Sequence, residues 1–154
     1  MILCDTRQQA GKHANIDAYF KKAGIQTDRC ALYVGDYALA NEQCRAVDTK
    51  QDVLELVKDI MSSDHERFVR ECLRAKEAGI QLLVLVEEVL PDGGLSAWQS
   101  PINSKGKPLT HVKGESLRRA LLTMTVKYGV KFRFCDSHQT GRLIVEYLAE
   151  GVLP

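Results

Sequence analysis

The sequence predicts a three-layer α/β domain built on a mixed central sheet, and three observations carry that prediction. Apolar residues alternate between strand and helix spacing along the chain. Three extended segments crowd together before residue 50, which asks for antiparallel pairing. A later run, 80–86, is too apolar for a half-exposed strand and must be covered on both faces. The 154 residues are 45% hydrophobic and 27% charged, enough for one compact domain over 1–154, and the same figures exclude a disordered chain.

A short strand is expected at 2–4. Ile16, Tyr19, Phe20 and Ala23 then recur at helical spacing until Gly24 stops the turn. Extended segments follow at 26–34, 37–40 and 43–49, with Gly35-Asp36 and Asn41-Glu42 as turn signals and antiparallel pairing among them. Val53, Leu54, Leu56, Val57 and Ile60 form the apolar stripe of the next helix. Ser62-Ser63-Asp64 caps another over 66–78, which Gly79 ends. After the central strand the composition changes to Gly, Pro, Ser and Lys around the lone Trp98, so 91–113 is a long loop insertion with one short helical turn. Trp98 either stacks on a base or folds back over the domain's edge. A helix over 115–128, a strand over 130–135 and a last helix over 138–150 complete the order.

Several function classes fall away. The longest apolar stretch, 80–89, is broken by Gln81 and by Glu87-Glu88 and is about half of what a membrane span needs, so no membrane partner is expected. The N-terminus lacks a basic region and a small-residue cleavage site, which points to the cytoplasm. Five cysteines with no C-x-x-C pair are expected as buried hydrophobes in a reducing compartment. The net charge of +1 is a cancellation: 44–100 holds seven basic and eleven acidic residues, whereas 101–142 holds nine and two. Lys105, Lys107, Lys113, Arg118 and Arg119, continued by Lys127, Lys131, Arg133 and Arg142, form a surface suited to tracking a phosphate backbone. Lys113-Gly114-Glu115-Ser116 opens a helix, where free N–H groups favour a phosphate or where Glu115 or Ser116 merely caps.

The chemistry concentrates in two places, Gly35-Asp36 and Asp48-Thr49-Lys50. If 37–40 and 43–50 form a bent hairpin, Asp36 lies at its opening, and Asp48 and Lys50 share one face because strand residues i and i+2 point the same way. Two carboxylates at such a corner suit Mg²⁺ or Mn²⁺, and the lysine can orient a water or offset charge on a phosphorane. A lone D/E-x-K arises about once by chance in a chain this long. The signal is therefore its place after a Gly-Asp turn, with Asp5 ending the first strand; the alternative is a solvated hairpin with an incidental ion pair.

These motifs, in this order, resemble the nuclease domain of the XPF-type structure-specific endonucleases, a branch of the PD-(D/E)xK superfamily that includes the archaeal Hef nuclease. The matching segments are Asp5-Thr6-Arg7-Gln8, Val34-Gly35-Asp36-Tyr37, Ala46-Val47-Asp48-Thr49-Lys50 and Arg67-Phe68-Val69-Arg70-Glu71. The similarity runs on through Lys127-Tyr128-Gly129-Val130 and Thr140, omitting the 91–113 loop. The sequence departs from the pattern at the motif glutamate (Asp48), the motif arginine (Thr49) and the helix glutamine (Glu71), and no helix-hairpin-helix module is seen after the domain.

The resemblance implies a restriction-endonuclease-like fold and Mg²⁺-dependent hydrolysis of branched or junction DNA, with Mn²⁺ as a substitute ion. It implies Asp36 and Asp48 as metal ligands, Lys50 as catalytic lysine, Asp5 and Glu71 as further acidic members, and Arg7 and Arg67 as phosphate or structural contacts. Glu87 would serve the site or pair with Arg67 or Arg7. A homodimer through the C-terminal helices, and a recombination or repair role in a phage or mobile element acting in the host cytoplasm, belong to the same implication. The alternative is a catalytically eroded junction-binding scaffold. A weaker third reading, a small-molecule-binding regulator, lacks a Gly-rich phosphate loop.

Overall fold

Residues 1–9 and 11–151 are described by the computed structural model, so 152–154, the end of the expected 1–154 domain, lie outside the described residues. The chain order is β1 (Ile2–Asp5), α1 (Ala14–Lys22), β2 (Thr27–Cys30), β3 (Tyr37–Leu39), β4 (Arg45–Lys50), α2 (Val53–Met61), α3 (His65–Glu77), β5 (Gln81–Val86), α4 (Gly114–Tyr128), β6 (Lys131–Phe134) and α5 (Thr140–Glu150). The strands form one mixed sheet in the order β2-β1-β3-β4-β5-β6. Pairing is antiparallel at β1/β3 and β3/β4 and parallel at β1/β2, β4/β5 and β5/β6.

Side-chain alternation along each strand builds two cores, one per sheet face. Ala46, Leu82, Val84 and Val86 face α2, α3 and α4 and pack with Leu56, Phe68, Leu117 and Trp98. Ile2, Val47, Leu83 and Leu85 face α1 and α5 and pack with Phe20, Tyr37, Ile144 and Tyr147. β5 is accordingly buried on both faces from Leu82 to its end, as an apolar central strand requires. The three layers follow directly.

Two expectations need correction. The segment expected as a strand over 26–34 is strand only at β2, which pairs parallel with β1 and not antiparallel with β3. The helix α1 returns the chain beside β1, which makes a parallel neighbour, and Thr27, Asp28 and Arg29 are exposed as an edge strand's charges should be. The cysteines also divide: Cys4, Cys72 and Cys135 are buried, whereas Cys30 is half-buried and Cys44 is exposed.

The 91–113 segment is ordered by a few specific contacts. It carries one short 3₁₀ turn, Gly94–Ala97, after which Trp98 folds inward to 5% exposure. The Trp98 indole N–H donates to Glu88 Oε1 (2.8 Å), and Glu88 Oε2 accepts the Val53 N–H (2.8 Å), so one carboxylate fastens both the loop and the start of α2 beyond β5. Gly114 sits tightly enough on this turn that a Cβ would collide with the Leu95 carbonyl. The start of α4 is thereby held at the end of the sheet where β5 terminates.

Candidate active site

Asp36 owes its position to the turn that precedes it. Gly35 adopts φ +74°, and a Cβ there would stand 2.9 Å from the Val47 carbonyl oxygen, so the close approach admits only glycine. The Asp36 N–H donates to Val47 O (2.7 Å), and the Asp36 carbonyl accepts the Asp5 N–H (2.9 Å). The residue is thus wedged between β1 and β4. Its carboxylate is fixed by Thr49, whose N–H (2.9 Å) and hydroxyl (2.7 Å) both donate to Oδ2. Where the resembling family carries arginine, threonine here orients a carboxylate.

The end of β4 supplies the next members. Ala46 lies in the α2/α3 core and Val47 in the opposite one, so alternation directs Asp48 and Lys50 toward α2 and α3. Lys50 Nζ lies 2.6 Å from Asp48 Oδ2 and 2.8 Å from Asp59 Oδ2, with the Phe68 ring centre 5.7 Å away. From α3, Glu71 reaches over to accept the Gly35 N–H through Oε1 (2.8 Å). Asp5, Arg7, Asp36, Asp48, Lys50, Arg67 and Glu71 line one cleft of about 320 Å³.

Burial dominates the electrostatics of the cleft's inner carboxylates. Burial pushes Asp36 up, against the two Thr49 hydrogen bonds, and pushes Asp48 up to about 7 despite the neighbouring ammonium. Burial, with Asp48 nearby, likewise raises Glu71. Burial alone would lower Lys50, but Asp48 and Asp59 outweigh it and hold the ammonium well above the ordinary lysine range. The Lys50 ammonium therefore sits between two buried carboxylates, Asp48 and Asp59.

Asp5 stands apart. Its Oδ1 accepts the Arg7 N–H (2.7 Å) and Nε–H (2.9 Å), and its Oδ2 pairs with Arg7 Nη2 and accepts the Leu32 N–H (3.2 Å). Burial would raise this carboxyl, but the Arg7 bonds hold it below the usual range. Both oxygens are engaged, and Asp5 thereby holds Arg7 at the cleft.

Of the other residues singled out in the sequence, Arg67 lines the cleft, with Nη2 3.6 Å from Asp59 Oδ1 and 3.5 Å from Asp64 Oδ2. Lys105, Lys107, Lys113, Arg118 and Arg119 are exposed and are not among the residues lining the cleft. Arg118 and Arg119 share Glu115, which also accepts from Ser96 Oγ (2.7 Å), so part of the basic segment is locally offset. Glu87 pairs with neither Arg67 nor Arg7 among the described residues.

Sequence reasoning missed Asp59, Lys12, His13 and Arg74, all of which line the cleft. Asp59 was legible only as the one carboxylate set into the apolar stripe of α2. His13 is 7% exposed and its Nδ1 has no hydrogen-bond partner among the described residues; burial, with Lys12 beside it, lowers its pKa below 6.5. The unfolded chain thus takes up a proton that the folded protein refuses, so His13 lowers stability as pH falls through about 6.5 and leaves it untouched above. Thermal unfolding at about pH 7.5 and pH 5 should show a smaller acid shift in His13→Gln than in the wild type.

The residues fit a divalent cation in chemistry. Asp48 Oδ2 is buried without a hydrogen bond of good geometry, its ammonium contact notwithstanding, and no hydrogen bond to Asp36 Oδ1 is found among the described residues. Hard carboxylate oxygens with raised affinity for positive charge are what Mg²⁺ and Mn²⁺ take. Among the described residues no three His, Cys, Asp or Glu side chains are already gathered at metal-binding spacing; Lys50 lies against Asp48, and Arg7 holds Asp5.

A mixed sheet flanked by helices on both faces, with carboxylates and a lysine gathered in one cleft, makes this a three-layer α/β domain. The ERCC4 domain profile matches residues 4–147, and the chain belongs to that family. Among solved structures it is similar to XPF from Aeropyrum pernix, at 17% identity and a TM-score of 0.67, over 97% of this chain and 65% of that one. The chain thus spans about two thirds of the length of that relative. Comparison with curated proteins finds no match.

Proposed function

We propose that this chain is a divalent-cation-dependent DNA endonuclease that hydrolyses phosphodiester bonds in branched or junction DNA. The observation that supports it most is the meeting of Asp36, Asp48, Lys50 and Glu71 in one cleft of an ERCC4-family domain. Asp36 and Asp48 would hold the ion, Mg²⁺ or alternatively Mn²⁺, with Glu71 close by. Such an ion, when bound, polarises the phosphate and makes water a stronger nucleophile near neutral pH.

The protein's own groups supply the rest. Thr49 holds Asp36 in one orientation, so the carboxylate meets its ligand without reorganising. Lys50 carries the charge placed to orient the attacking water and to offset the negative charge that grows on the phosphorus oxygens. Arg7, held by Asp5, and Arg67 stand where the phosphates flanking the scissile bond would pass, and Lys105, Lys107, Lys113, Arg118 and Arg119 would follow the backbone beyond. We place the activity in recombination or repair of DNA in a phage or mobile element, in the cytoplasm, with a homodimer through the C-terminal helices supplying a second site. Among the described residues no helix is long and apolar enough to cross a membrane.

The scaffold reading draws support from the absence of a gathered three-ligand cluster among the described residues. The two are separated by incubating the purified protein with labelled fork, flap, four-way-junction and linear duplex DNA, with and without Mg²⁺. Cleavage of the branched forms only, and only with Mg²⁺, is the expected result. Tight junction binding without cleavage in Mg²⁺ or Mn²⁺ would establish the scaffold.

A further inference from the structure

Asp59 is neither a proposed ion ligand nor a proposed phosphate contact, yet its placement is costly. It is 3% exposed on α2, among Val53, Leu56, Val57 and Ile60, where a lone carboxylate would be strongly disfavoured. Its compensation comes from one side chain at close range, the Lys50 ammonium at 2.8 Å, with Arg67 3.6 Å from the other oxygen. The same ammonium lies 2.6 Å from Asp48. Lys50 is therefore clamped between two carboxylates from different elements, β4 and α2, with Phe68 closing a third side.

The clamp resolves a conflict in the proposed centre. Asp48 cannot serve a divalent cation and remain the sole counterion of Lys50, because the two cations repel one another and compete for the same oxygen. We propose that Asp59 is a positioning residue: it retains Lys50 at the centre when a divalent cation takes Asp48. This rests on the proposed hydrolytic function. It adds that the lysine has two anionic partners so that one can be released. Without Asp59 the ammonium either holds Asp48 against the metal or leaves the cleft, and both outcomes are measurable without cleavage.

The test uses the full chain and Mn²⁺ alone. Titration calorimetry compares the wild type with Asp59→Asn, Lys50→Met and the double variant, and reductive methylation read by peptide mass spectrometry follows Lys50 with and without saturating Mn²⁺. Asp59→Asn should weaken Mn²⁺ binding about tenfold, as loss of a partner behind a ligand does, and most of that loss should vanish in the Lys50→Met background. With Mn²⁺ bound, Lys50 should stay protected in the wild type and in Asp59→Glu and become labelled in Asp59→Asn.

Equal weakening in both backgrounds, or equal Lys50 protection in the wild type and Asp59→Asn, would overturn the proposal. Should Asp59→Asn fail to fold, Asp59→Leu packs with Leu56 and Ile60 and carries the same comparison. A wild type with no Mn²⁺ site sensitive to Asp36→Asn would overturn the hydrolytic function, and this inference with it. An intact Mn²⁺ site indifferent to Asp59 would overturn this inference alone.

Discussion

If Asp36 holds the ion as proposed, Asp36→Asn should reduce Mg²⁺-dependent cleavage by about three orders of magnitude while leaving the fold intact, because losing a ligand forfeits several kcal/mol of charge stabilisation. The amide keeps the shape of the side chain, and its oxygen can still accept from the Thr49 N–H and hydroxyl that now bind Oδ2. Burial already disfavours the charged form of Asp36, so removing the charge should not lower the melting temperature. The sign follows from linkage: a carboxyl raised above its unfolded value costs stability at neutral pH, and a neutral isostere is relieved of that cost. Cleavage rates alongside thermal unfolding check both halves. Retained activity, or collapse of the fold with activity, would contradict the role given to this carboxylate.

The second large effect is expected from Gly35→Ala. A left-handed φ costs alanine about 1–2 kcal/mol, and the added Cβ meets the Val47 carbonyl oxygen at 2.9 Å and Ala46 Cβ at 3.2 Å. Neither neighbour can yield easily, since both lie in β4 between two paired strands. Overpacking of this kind adds about another 1–3 kcal/mol. The melting temperature should fall by roughly 5–15 °C for a chain of this size. The turn also carries the Gly35 N–H bonded to Glu71, so shifting it displaces Asp36 and Glu71 together. Cleavage should fall further than the unfolded fraction explains, which activity per folded molecule will measure.

The sheet was readable where the signal was local. The apolar run of β5 announced a strand buried on both faces, and the Gly-Asp turn announced a special backbone at the site. The partner of β2 was not readable, because four mostly exposed residues carry no face preference and the helix before them decides the direction. Thr49 showed in the sequence only as a missing arginine; its hydrogen bonds to Asp36 depend on a neighbour thirteen positions away. Asp59 was hidden for a related reason. A carboxylate within an apolar helix stripe looks like an interruption until the fold brings Lys50 against it. Asp5 shows the converse: its motif position is clear, but the lock of both its oxygens by Arg7 and Leu32 belongs to tertiary structure.

Lys50 and its carboxylates, as proposed, form one metal-dependent hydrolytic centre, and the most direct test follows one end-labelled fork. Wild-type protein and Lys50→Ala are compared at equal folded concentration, with Mg²⁺ and with chelator. Nicking by the wild type in Mg²⁺ alone is expected, with a rate about 10²–10³-fold lower for Lys50→Ala, the usual cost of removing one such charge, and with fork binding retained. Cleavage that persists in chelator, or that Lys50→Ala leaves unchanged, would contradict it.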